Sequence, residues 1–296
     1  MSSVDRPSLG VALRILSGLL FAGMLISVKA VSEDVPLGEI VFFRSAFALI
    51  PLVIFLYLRG EFPGGLATKR PGAHLIRSTF GALALFGTFA AIARLNVAEA
   101  VLIAQLSPIL TALGAVLLLS ERLTIRRVGG LGFGFAGVVV LVWPEMQGMD
   151  AARLMGYVIG LAAAAMTALA LIMVRDLNRT ESPGAIALYF VLVSMMGALF
   201  TLPWGWVMPS GGTLALLIIA GLFGGFAHIA MTMAFRYAEA SRLAPFEYVA
   251  LLWPLLADLF FFDLVLSTGF LFACPLILLG AAISAYEHKT TARPAT

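Results

Sequence analysis

The chain has 296 residues, 61% of them apolar and 12% charged, with a net charge of +3. Soluble domains are roughly 25% charged, so nineteen Lys/Arg and sixteen Asp/Glu cannot coat a soluble protein of this length. A single cysteine, Cys274, excludes a disulfide scaffold, and basic residues scattered along the chain exclude a nucleic-acid surface.

The solvent for such a chain is lipid. A spanning helix needs about 20 mostly apolar residues, and helices pair their backbone groups internally. Ten runs meet this requirement, at about 11–31, 37–58, 73–94, 97–119, 127–143, 154–174, 184–206, 213–235, 243–262 and 267–286. Charged and turn-forming stretches separate them, such as Ser32-Glu33-Asp34, Lys69-Arg70-Pro71 and Pro209-Ser210-Gly211-Gly212. The runs lack period-2 alternation, which excludes a β-barrel. The first run carries Lys29 and lacks a cleavage site, so it reads as a span and not a signal peptide. With a cytoplasmic N terminus, fifteen of the nineteen cations fall on the cytoplasmic side. Only Lys29, Arg44, Arg94 and Arg153 fall on the other, which predicts both termini inside a bacterial-type inner membrane.

The second half repeats the first. At an offset of 140, Gly81, Phe86, Ala90 and Ala98-Glu99-Ala100 meet Gly221, Phe226, Ala230 and Ala238-Glu239-Ala240, six identities in twenty positions. Pro36 and Pro183, and Gly137 and Gly280, fall in the same order. The reading is two five-helix units, residues 1–147 and 148–296. An odd helix count inverts one unit relative to the other, the architecture of secondary carriers with a midplane site. The predicted fold is therefore an all-α integral membrane protein, ten transmembrane helices forming two inverted five-helix repeats around a central cavity.

Several of these segments are familiar. The Ala98-Glu99-Ala100 element, Ser107-Pro108, Ser120-Glu121-Arg122-Leu123 and the glycine-rich fifth span resemble the drug/metabolite transporter superfamily, in its ten-helix EamA branch. Ala244-Pro245-Phe246-Glu247-Tyr248 is similarly placed in the second half. Within that branch the chain resembles YddG-type exporters of aromatic and other neutral amino acids. The resemblance implies export of such solutes, with residues 104–108 of the fourth span facing the cavity.

Candidate functional residues follow in chain order. Lys29 and Arg44, near one end of the first two spans, are gating or charge candidates, each readable as a cationic gate or a carboxylate anchor, with Arg44 the deeper of the two. Their alternative is snorkelling beside Glu33, Asp34 and Glu39. Pro108 predicts a kink near 104–108, where Gln105, Ser107 and Thr111 offer polar groups to a cavity. Thr88 and His228 are paired by the repeat, and a histidine at bilayer depth can bond a substrate, carry a proton or brace a helix. Phe21, Met24, Met166 and Met231 offer adaptable apolar walls. In the ninth span Pro245 is a second kink candidate, while Glu247, Tyr248 and Trp253 are cavity candidates; Glu247 and Asp258 lie about one turn from opposite ends of the span, where each carboxylate can reach water. The glycine pairs Gly130/Gly134 and Gly221/Gly225 read as close helix contacts.

There is no H-E-x-x-H, G-x-S-x-G or P-loop, and no Cys/His cluster, so no enzyme, metal site or cofactor is expected. The expectation is a monomeric carrier in the lipid bilayer moving small, largely apolar metabolites by alternating access. Aromatic and other neutral amino acids are the leading cargo. Organic cations are the alternative, with Glu247 as their counter-charge.

Overall fold

A computed structural model of the protein describes residues 6–119, 125–143, 150–178, 180–237, 243, 251–262 and 267–290. No strand occurs among them. The helices are α1 (Pro7–Val31), α2 (Leu37–Leu58), α3 (Pro71–Ile92), α4 (Val97–Ala104), α5 (Ser107–Leu119), α6 (Ile125–Val142), α7 (Ala151–Leu177), α8 (Pro183–Leu199), α9 (Gly211–Tyr237), α10 (Leu252–Phe261) and α11 (Thr268–Thr290). Five are long and apolar enough to cross a membrane: Ser8–Val31, Leu37–Leu58, Pro71–Ile92, Ala151–Val174 and Gly211–Ala234. Five shorter apolar stretches, Val97–Thr111, Val128–Val142, Pro183–Leu199, Leu252–Phe261 and Thr268–Gly280, fall on the other five predicted spans.

Local sequence sets the ends of these helices. Proline, which needs no backbone donor, opens α1, α3 and α8. Asp150 and Ser182 cap α7 and α8 through Ala152 N and Ala185 N. Past α2, Gly60 takes a left-handed φ of 67°, and its N–H and that of Glu61 bond back to Tyr57 O and Leu56 O. That double closure satisfies the last carbonyls of the helix. The fourth span is broken: α4 stops at Ala104 and α5 starts at Ser107, with Pro108 in its first turn. Proline has no N–H to give to the preceding turn, so the break falls just ahead of it. Pro51 and Pro275 instead lie inside α2 and α11.

The outside of the bundle is apolar and its inside holds the polar residues. On α2, Ile50, Ile54, Tyr57 and Leu58 are exposed, while Arg44, Ser45 and Ala48 are buried. Exposed Tyr57, Trp143 and Trp204 sit at helix ends, where amphipathic rings suit a membrane interface. Apolar burial does not drive helices together in lipid, so close approach must. Gly280 of α11 meets the backbone of α6 so tightly that a Cβ would lie 2.6 Å from Gly130 O and 2.8 Å from Gly134 N. On α9, Gly221, Gly224 and Gly225 likewise admit α2, packing on Phe47, Arg44 and Pro51. The remaining main packings are α1 on α9, α3 on α7, and α8 on both α2 and α3.

The largest apolar core runs through Val28, Ile40, Phe89, Ile92, Leu102 and Leu141. It lies toward the end of the bundle where α1 finishes and α2 begins, here the Lys29 end. A smaller cluster of Leu52, Leu56, Leu188, Phe190 and Val191 joins α2 to α8 nearer the opposite end.

Candidate functional site

Arg44 is 1% exposed, on the α2 face that crosses the glycines of α9. Its Nε donates to Met24 Sδ at 3.4 Å, and Nη1 has no hydrogen-bond partner. A thioether is a weak acceptor, and no carboxylate pairs with this guanidinium among the described residues. On insertion scales an arginine at the bilayer centre costs about 2.5–3.5 kcal/mol, and no charge partner on the described chain offsets that cost.

A second guanidinium repeats the pattern. Arg77, on α3, lies over the Phe190 ring of α8 with Cζ 4.7 Å from its centroid. Its Nε and Nη1 are buried without a hydrogen-bond partner. Gly81, one turn on, leaves the room that ring and cation share. Between the two cations stands His228 of α9, edge-on to Phe21 at 5.0 Å and to Phe190 at 6.4 Å. Gly224, one turn before His228 on α9, packs on Arg44, and the Phe190 ring touches both Arg77 and His228.

The three groups are staggered along the bundle. Arg77 is six residues into α3, His228 nine from the end of α9 and Arg44 fourteen from the end of α2. At 1.5 Å per residue these lie about 9, 14 and 21 Å from the end where α1 starts. A groove of about 70 Å³ lined by Leu52, Gly184, Ile229 and Thr232 reaches His228. From the Lys29 end a cleft of about 780 Å³, lined by Asp34, Ile40, Phe89 and Arg94, reaches within one turn of Arg44 on α2.

The other buried charges are paired with neighbours. Lys29 Nζ donates to Ile92 O and Leu95 O, at 2.9 and 3.0 Å, closing the end of α3. Asp258 of α10 is fully buried and accepts from Val97 N at 3.2 Å and Ala98 N at 2.6 Å, capping α4. Glu99 completes a capping box with Asn96 and accepts from Tyr157 Oη and Arg153. Glu39 accepts from Val207 N. At the opposite end Arg70 pairs with Asp176 at 2.6 Å, and His74 Nε2 lies 3.3 Å from Glu181. Burial pushes the Glu181 carboxyl up, but the neighbouring Thr68 hydroxyl and His74 ring outweigh it and hold the group below the usual glutamate value.

Of the sequence candidates, Phe21, Met24, Arg44 and His228 come together at this centre. Thr88, Met166 and Met231 are half-buried on α3, α7 and α9. Gln105 ends α4, while Ser107 is buried at the start of α5 with its carbonyl accepting from Thr111. Trp253 is half-buried on α10, and its Nε1 has no hydrogen-bond partner. Lys29 holds a helix end. Pro245, Glu247 and Tyr248 lie outside the described residues. The sequence reading missed Arg77, one of the fifteen cations given to the cytoplasmic side, and Phe190. The centre draws on spans 1, 2, 3, 7 and 8. The available signal was Pro71: a helix opening there puts Arg77 almost two turns deep.

The chain is 31% identical over 256 residues to the pseudopaline exporter CntI of Pseudomonas aeruginosa, covering 84% of this chain and 86% of that one, and an EamA-like transporter family model matches residues 8–143. This protein belongs to the EamA-like transporter family. It is thus a membrane transporter of the drug/metabolite transporter superfamily, and not an enzyme. A riboflavin transporter of Rhizobium johnstonii is 26% identical over 94% of this chain and 91% of its own length. An S-adenosylmethionine uptake transporter of Rickettsia prowazekii is 30% identical over 76% and 74%. A crystal structure at 23% identity superposes with a TM-score of 0.67 over 95% of this EamA-like chain and 98% of its own, which shares the fold.

Proposed function

We propose that this EamA-like transporter exports small ring-bearing and apolar metabolites, foremost aromatic and other neutral amino acids, by alternating access around the Arg44–His228–Arg77 axis. The observation that carries the reading is the buried centre itself. Phe21, Phe190 and Met24 offer apolar walls to a side chain, and an unpaired guanidinium offers a carboxylate its natural partner.

The inverted pair of five-helix units, residues 1–147 and 148–296, supplies the two access states. Exchanging span 1 with 6, 2 with 7 and 3 with 8 turns the α1–α9 packing into α7–α3, and α2–α9 into α8–α3. The α2–α8 and α6–α11 packings map onto themselves. That exchange symmetry supports the duplication, and the positive-inside count supports cytoplasmic termini. Relatives named for different solutes leave the cargo to be argued from the site.

Efflux of organic cations is the weaker reading, because two guanidiniums at the centre repel them. Its counter-charge, Glu247, lies outside the described residues. The test is counterflow of labelled phenylalanine and tryptophan in proteoliposomes. Saturable exchange is expected, and failure to exchange any neutral amino acid rejects the assignment.

A further inference from the structure

Arg44, which is buried, and Arg77, which is half-buried, are held differently from the other charges inside the bundle. Lys29, Glu39, Glu99 and Asp258 each find a hydrogen-bond partner, usually at a helix end. The two guanidiniums sit within the helix bodies, keep buried N–H groups without acceptors, and meet a sulfur and a ring in place of a carboxylate. Arginine does not shed its proton in proteins, so both positive charges persist. Buried charge without a partner is costly, and an anion from outside would offset that cost at Arg44 and, in part, at half-buried Arg77. The aromatic surfaces lie between the cations: Phe190 under Arg77, and Phe21 and Phe190 against His228.

We propose that Arg44 and Arg77 form a two-station carboxylate site, and that the protein therefore takes ring-bearing organic carboxylates lacking an amino group more tightly than zwitterionic amino acids. This rests on the carrier reading above and re-ranks its cargo: the amino acids named there are taken, and ring-bearing carboxylates without an ammonium are held more tightly. The carboxylate is the recognised group. An ammonium would face two like charges, and no described carboxylate stands beside either guanidinium to receive it. The stations differ in depth, Arg44 toward the Lys29 end and Arg77 toward the other. One anion can therefore be held by a guanidinium in either access state.

The test uses the full-length protein in lipid nanodiscs and three ring-matched solutes: phenylpropionate, phenylalanine and phenethylamine. Thermal stabilisation is titrated with each, and the same trio is compared in proteoliposome counterflow. Phenylpropionate is expected to reach half-maximal stabilisation at a roughly tenfold lower concentration than phenylalanine, the scale of one charge-assisted hydrogen bond, with no stabilisation by phenethylamine. Arg44→Gln and Arg77→Gln should each erase the preference, and Arg44→Lys, which keeps the charge, should retain part of it. Equal stabilisation by all three solutes in the wild-type protein overturns the site without reference to any variant. So does equal stabilisation by chloride or phosphate alone, which would mark a resident inorganic ion. Anion-ordered stabilisation without counterflow keeps the site and removes the carrier reading. Counterflow indifferent to solute charge does the reverse.

Discussion

Replacing Asp258 tests whether the paired charges at the Lys29 end are structural. Its carboxylate accepts two main-chain N–H groups at the start of α4, at 3.2 and 2.6 Å, from a fully buried position. Asp258→Ala strands both donors. Each buried unsatisfied donor costs about 1–3 kcal/mol, so a loss of about 2–4 kcal/mol is expected after partial relaxation. Asp258→Asn keeps one acceptor oxygen and should lose about 1 kcal/mol, in the range of an altered helix cap. Lys29→Met strands Ile92 O and Leu95 O on the neighbouring helix end and should cost about 1–2 kcal/mol. Because Lys29 and Asp258 brace the two sides of one turn, residues 92–98, the double variant should fall short of the sum by roughly 0.5 kcal/mol or more. Equilibrium unfolding in mixed micelles measures all four. A cost for Asp258→Ala below about 0.5 kcal/mol would refute the capping argument. A proton-carrying aspartate gives the opposite pattern, with stability intact and transport lost in Asp258→Asn.

Three further outcomes are expected. Gly280→Ala should destabilise by about 1–3 kcal/mol in the same assay, since its methyl would press on the backbone of α6 and not on a movable side chain. Phe190→Leu removes the face under Arg77 and should cost about 0.5–2 kcal/mol, whereas Phe190→Tyr should stay near wild type. The third concerns Glu181, whose folded pKa lies below its unfolded one. Its contribution to stability is therefore complete above the ordinary glutamate value and is lost as the pH falls through the lowered one. The melting difference between wild type and Glu181→Gln should hold steady from pH 7 to about 5 and shrink below that. A constant difference down to pH 3.5 would contradict the sign.

The spans were legible because the requirement that backbone groups pair in hydrocarbon writes itself into long apolar runs. The break ahead of Pro108 was legible for an equally local reason, a missing N–H. Arg44 stood out as a cation inside an apolar run. Arg77 did not, because it lies a few residues from Lys69 and Arg70 and merged with their interfacial charge. Phe190 carries no signal of its own among 22 phenylalanines. Which face of a span looks inward is weakly encoded when lipid and protein interior are equally apolar, so the roles of spans 2 and 7 needed coordinates. The partners of Lys29 and Asp258 are main-chain atoms 63 and 161 residues away, and main-chain atoms leave no trace in side-chain patterning.

The glycine seam between α6 and α11 has a consequence for biogenesis. The bare strip on α6, at Gly130, Gly134 and Gly137, has Gly280, Ile277 and Ala273 as its counterpart. Until α11 has left the ribosome and entered the bilayer, that strip has only lipid tails or another nascent chain to rest against. Polypeptides cut short before α11 should accordingly cling to one another or be cleared by membrane proteases, even though every helix of the first half has already been inserted.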